Sequence, residues 1–147
     1  MLLGIPKIIS PQLIKIIMEM GHGDEIVIAD ANFPAASIAK ETCSGEIVYC
    51  QGVGTVEFLD AILKLMPLDY AVESPVVCMA APKDVETPEI HGRFKQILNS
   101  HGYSDDKIDF VPRFDFYDRA KKSYAVVSTG EGARFANIII KKGVIKE

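Results

Sequence analysis

Met20-Gly-His-Gly-Asp-Glu-Ile-Val-Ile-Ala-Asp-Ala-Asn-Phe-Pro34 is the stretch on which the reading of this chain turns. Inside it, residues 25–29 form a short apolar run with β-branched side chains, the pattern of a buried strand. His22 precedes that strand and lies between two glycines, where the backbone can turn sharply or approach a ligand closely. Asp30 follows the strand and opens Asp30-Ala-Asn-Phe-Pro34. Open α/β sheets place their ligand crevices outside the carboxyl ends of strands. Chemistry is therefore expected at one or both ends of this strand.

Working outward, Ser10-Pro11 predicts the start of a helix, with serine capping free amides and proline at the first helical position. Leu13, Ile14, Ile17, Met18 and Met20 follow at helical spacing, and Gly21 is expected to end the helix as a left-handed cap. Residues 37–45 read as a loop with one helical turn, and 46–50 as a second strand. Gly52-Val-Gly54 breaks it. Thr55 is expected to cap a helix carrying Leu59, Ile62, Leu63 and Met66, which Pro67 stops. Residues 76–81, bounded by Pro75 and Pro82, predict a central strand. A helix follows from Thr87-Pro88-Glu89 and closes at Gly102. Residues 107–111 alternate as a half-buried strand does. A short helix over 114–123, a strand over 124–128, a turn over 129–132 and a last strand over 137–141 complete the chain. Strands alternating with helices predict α/β architecture; parallel or antiparallel sense stays open.

The bulk numbers narrow the functional classes. At 147 residues the chain fits one domain with a sizeable core. Hydrophobic content of 48% with 24% charged residues is that of an ordinary globular protein. A net charge of -4 offers no electrostatic reason to bind nucleic acid. No apolar run reaches the roughly 18 residues of a membrane span, and the first residues lack the pattern of a signal peptide. Cys43, Cys50 and Cys78 are odd in number and show no CxxC spacing, which points to reduced thiols in the cytoplasm.

Read on their own terms, several residues could carry chemistry. A histidine transfers protons near neutral pH, and His22 sits in a loop, where function concentrates. Asp30 could accept hydrogen bonds from the hydroxyls of a ligand or orient His22; it could equally be a turn or cap residue. Glu25 begins the strand and reads as structural. His22, Asp24 and Asp30 show no typical metal-ligand spacing, so no metal is expected. Asp69 alone would read as a solvated loop carboxylate. Arg113 and Tyr117, four apart at a strand-to-helix junction, would read as a surface arginine and a core tyrosine. Asn137 could contact hydroxyls or bond within its own turn.

Gly21-His22-Gly23-Asp24-Glu25, Asp30-Ala31-Asn32-Phe33-Pro34, Pro67-Leu-Asp69, Arg113-Phe-Asp-Phe-Tyr117, Thr129-Gly-Glu131 and Asn137-Ile-Ile-Ile-Lys-Lys-Gly143 occur in this order. Together they resemble the fucose mutarotase family, related to the ribose pyranases, over nearly the whole chain. The resemblance implies one sugar mutarotase domain over residues 1–147, with a three-layer α/β/α fold. It implies a ring-like homo-oligomer, with a decameric ring as one form. It implies His22 as the principal proton donor and acceptor, with Tyr117 opposite it. Asp30, Asp69, Arg113, Phe135 and Asn137 are implied to contact the sugar. The chain departs from the family at Phe135, where tyrosine is usual, and at Tyr49-Cys-Gln-Gly52, where Arg-x-Asp-Gly is common.

The expected activity is interconversion of the α and β anomers of a free sugar, L-fucose on the family pattern. This chemistry requires no redox cofactor, metal or covalent nucleophile. Pyranose–furanose exchange of ribose is the nearest alternative. A non-catalytic sugar-binding oligomer is the second, favoured by the loss of the family hydroxyl at Phe135. Metal-dependent hydrolysis at His22 and Asp30 is the third.

Overall fold

The computed structural model describes residues 1–146. Its core is a six-stranded sheet in the order β2-β5-β1-β6-β3-β4. The strands are β1 (Glu25–Ala29), β2 (Ile47–Cys50), β3 (Val76–Met79), β4 (Ile108–Val111), β5 (Ala125–Thr129) and β6 (Ile138–Lys141). Five of them are parallel. β6 runs against both its neighbours, with Ile28 opposite Ile138 and Cys78 opposite Ile138.

Alternation along the strands divides the core in two. Ile26, Ile28, Val76, Cys78, Val127, Ile138 and Ile140 face one side. There they meet α1 (Pro11–Glu19), α3 (Thr55–Leu63) and α4 (Glu89–Ser100). Val27, Ala29, Val77, Met79, Val126 and Ile139 face the other side, against α2 (Ala35–Ala39) and α5 (Arg113–Ala120). Both faces of a parallel sheet are covered this way, which is why β1, β3 and β5 read as nearly continuous apolar runs. The result is the expected three-layer α/β/α fold.

The elements follow the sequence reading, with local corrections. Ser10 caps α1, its Oγ accepting from the Leu13 amide at 3.1 Å. Gly23, not Gly21, takes the left-handed conformation, at φ 87°. Gly21 instead donates its amide to Asp24 Oδ2 at 2.7 Å. The cap of α3 is Gly54 rather than Thr55, and the buried Thr55 hydroxyl has no partner among the described residues. A helix of 5 residues, α2, begins at Ala35, earlier than the segment expected to hold one turn. β3 is interior but lies next to the edge strand β4. No helix among the described residues is long and apolar enough to cross a membrane.

This topology gathers functional groups. The carboxyl ends of the five parallel strands and the start of antiparallel β6 share one edge of the sheet. Asp30, Met79 and Asn137 therefore meet there, although the chain separates Asp30 from Asn137 by 107 positions.

Candidate functional site

Asp30 is the hub of that edge. It is 3% exposed, and its carboxylate draws in several donors. Asn32 N–H donates to Oδ1 at 2.9 Å, while Ala136 N–H and Asn137 Nδ2 donate to Oδ2 at 3.2 and 2.8 Å. Asn137 returns the contact: its Oδ1 accepts from the Asp30 amide at 2.8 Å. Both polar ends of Asn137 thus bond Asp30, each with one further hydrogen-bonding position beyond that bond, and this locks the end of β1 to the start of β6. Burial pushes the Asp30 carboxyl above its ordinary range, and these donors offset only part of the effect.

Around this clamp lies a cavity of about 390 Å³, lined by Asp30, Asn32, Phe33, Met79, Arg113, Tyr117, Arg134, Phe135 and Asn137. Its size suits a small ligand. α5 supplies Arg113 and Tyr117 from its first two turns, because Pro112 ends β4 and starts the helix at the same sheet edge. The Tyr117 ring is held edge-on by Phe33 at 5.4 Å and Phe114 at 6.0 Å. The guanidinium of Arg113 lies over the Phe114 ring, and that of Arg134 over Phe135. The cavity therefore combines a carboxylate, two guanidinium groups, a phenol and aromatic faces.

Five of the sequence candidates, Asp30, Arg113, Tyr117, Phe135 and Asn137, meet in this cavity. His22 and Asp69 do not. They pair with each other, His22 Nε2 lying 3.1 Å from Asp69 Oδ1, beside the amino end of β1. The five residues of β1 separate them from Asp30 by about 16 Å of strand. Asp69, not Asp30, orients His22. Asp69 is fixed by β6, its amide donating to the Lys141 carbonyl at 3.0 Å. The Ala71 amide on Asp69 Oδ1 is the main reason its carboxyl lies below the ordinary range, with His22 contributing in the same direction. The His22 side chain is half exposed, whereas that of Asp69 is buried. Glu25, also at this end, is structural as expected. Arg119 donates to both its oxygens, at 3.0 and 2.6 Å, and Lys141 lies 3.1 Å away.

Asn32 and Arg134 line the cavity and were not singled out by sequence reasoning. Asn32 stood inside the quoted Asp30-Ala-Asn stretch, so a signal was available. Arg134 had only its place just before Phe135.

Three comparisons with known proteins bear on this arrangement. Residues 3–145 match the model of the RbsD / FucU transport protein family. The chain is 47% identical to a fucose mutarotase of Danio rerio, covering 97% of this chain and 93% of that one. It is 46% identical to an L-fucose mutarotase of Actinobacillus pleuropneumoniae, covering 98% and 97%. Among solved structures, the fucose mutarotase of Streptococcus pneumoniae in complex with L-fucose superposes with a TM-score of 0.92. Its identity is 48%, over 99% of this chain and 100% of that one. The chain belongs to the RbsD / FucU family.

Proposed function

We propose that this protein interconverts the α and β anomers of L-fucose, by acid–base opening and reclosure of the cyclic hemiacetal. The carrying observation is the Asp30 cavity, on a chain similar from end to end to named fucose mutarotases. In ring opening, a base removes the anomeric hydroxyl proton as the bond from the anomeric carbon to the ring oxygen breaks. An acid protonates that ring oxygen. The aldehyde turns and the ring closes on its other face, with both protons returned. Nothing is oxidised or reduced, so the chemistry calls for no redox cofactor.

Tyr117 is one proton-transfer group, since its hydroxyl both donates and accepts. Asp30, Arg113 and Asn137 hold sugar hydroxyls, and Phe135 packs on the apolar face of the ring. His22 is the second proton-transfer group. It stands at the far end of β1 in its own chain, so a second copy brings it to this cavity. Asp69 then orients His22 and does not touch the sugar. Exposed aromatic surface at both ends supports this reading: Phe114 beside the cavity is 66% exposed and Tyr70 beside Asp69 is 57% exposed. The ring-like homo-oligomer implied by the sequence resemblance, a decamer in one form, would supply such contacts. Free cysteines, with Cys43 exposed, suit a reducing cytoplasm.

Exchange NMR on L-fucose, D-ribose, galactose and glucose tests the activity. Anomer exchange of L-fucose should speed up most, and chelators should not change it. Rates on all four sugars equal to those in buffer would leave the sugar-binding alternative. A larger acceleration on ribose would favour pyranose–furanose exchange.

A further inference from the structure

Phe135 is the one non-glycine residue with a positive φ, 57°, among the described residues. A bulky side chain rarely holds that left-handed conformation, so its neighbours must fix it. They do so from two sides. Toward the cavity, Ala136 N–H and Asn137 Nδ2 both donate to Asp30 Oδ2. Away from the cavity, the Phe135 carbonyl oxygen lies 3.0 Å from His91 Nε2. A carbonyl only accepts, so His91 is the donor and Nε2 carries the proton.

His91 lies in the first turn of α4 and is 3% exposed. Its ring packs against Phe94, with centroids 6.5 Å apart, and against Phe110 at 5.2 Å. His91 also borders a second cavity with Lys95 and Phe110, so the Nε2 bond to Phe135, together with these ring contacts, sets the place of the imidazole. The donor therefore sits at a fixed place under the Phe135 carbonyl. His91 is absent from the lining of the Asp30 cavity, so whatever it does there passes through the backbone of 135–137.

We infer that His91 is a positioning residue for the sugar site: its Nε2–H fixes the left-handed turn at Phe135, and so sets where the Phe135 ring and the Asn137 amide meet the ligand. This rests on the reading of the cavity as a fucose site. Phe135, Asn137 and Asp30 hold the sugar and do not move its protons. A disturbed turn therefore weakens substrate and transition state alike, which raises KM and spares kcat.

The test uses the full-length protein with His91→Phe, which keeps an aromatic ring against Phe94 and Phe110 but removes the donor. His91→Gln restores an N–H. His91→Phe should raise KM for L-fucose at least about fivefold with kcat within about twofold, and His91→Gln should return KM to within about twofold of the parent. In a crystal structure of His91→Phe, the Ala136 amide should no longer reach Asp30 Oδ2, or Phe135 should leave positive φ. If His91→Phe does not fold, His91→Leu carries the same readouts. A fall in kcat at unchanged KM, the mark of lost folded protein, would overturn the inference. So would an undisturbed Phe135 turn. A parent protein that fails to accelerate fucose exchange refutes the mutarotase reading instead, and the crystal structures then decide the role of His91 alone.

Discussion

The two ends of β1 carry an acid each, and they are built in opposite ways. At the amino end, Glu25 is gripped by Arg119 and Lys141, and their charges outweigh burial to hold its carboxyl below the ordinary range. At the carboxyl end, Asp30 meets only neutral donors, and burial wins, pushing its carboxyl up. The same contrast runs through the neighbouring residues. The amino end presents His22 half exposed on a rigid carboxylate, with the imidazole outward. The carboxyl end presents a walled cavity with Tyr117 inside. One end is shaped to enter something and the other to be entered. A strand of 5 residues keeps them too far apart to serve one sugar within one chain.

The largest expected effect comes from removing the protruding end. His22→Ala should lower fucose exchange by about 10²–10⁴-fold, the usual contribution of a placed acid–base group. The fold should survive, because His22 is exposed and its loop makes few core contacts. Near-parental exchange in a folded variant would remove His22 from the mechanism. On the cavity side, Tyr117→Phe should cost at least about tenfold, or about 1.4 kcal/mol of barrier. Its packing on Phe33 and Phe114 is kept, so the thermal midpoint should scarcely move. Full activity in that variant would hand the second proton to water or to Asp30.

The two acids also predict stability slopes of opposite sign. Glu25 has a folded pKa below its ordinary 4.5, so its contribution is present above pH 4.5 and is lost as pH falls through the folded value. Asp30 has a folded pKa above its ordinary 3.8, so its contribution is full below pH 3.8 and is lost as pH rises through the folded value. Urea midpoints measured against pH should show a shallower acid-side loss in Glu25→Gln. In Asp30→Asn the decline above pH 3.8 should vanish. That variant should also be weaker throughout by about 1–3 kcal/mol, because whichever way its amide turns, the N–H₂ faces a donor: Asn32 N–H on one side, or Ala136 and Asn137 on the other. Unaltered slopes in both variants would contradict the contrast between the ends.

Much of the fold was legible because its signals are local. Apolar runs marked β1, β3 and β5, and Ser10-Pro11 and Thr87-Pro88-Glu89 marked helix starts. The antiparallel sense of β6 was not, since Ile138, Ile139 and Ile140 pack identically whichever way the strand runs. The swap of Thr55 for Gly54 as a cap, and of Gly21 for Gly23 as the left-handed residue, turned on one-residue shifts in backbone angle. In the site, the residue types were readable but their grouping was not. Asp30 was one candidate to orient His22, yet His22 pairs with Asp69, which the residues alone read as a solvated loop carboxylate. Asp30 and Asn137 are far apart in sequence, yet the sheet joins them at 2.8 Å. His91 gave no signal because it occupies a place on the apolar face of α4, where a histidine reads as core.

On the proposed mechanism, the His22 of one copy serves the Tyr117 cavity of another, and mixed oligomers separate this from a site within one chain. His22→Ala and Tyr117→Phe chains, each nearly inactive alone, are co-expressed with different tags and purified through both. If the site is shared, random mixing gives intact His22 and intact Tyr117 at about one contact in four, and exchange should return to about a quarter of the parental rate. If both groups act within one chain, no mixed contact restores a complete site. Activity that stays at the level of the separate variants would mean that His22 does not serve the cavity of a second copy.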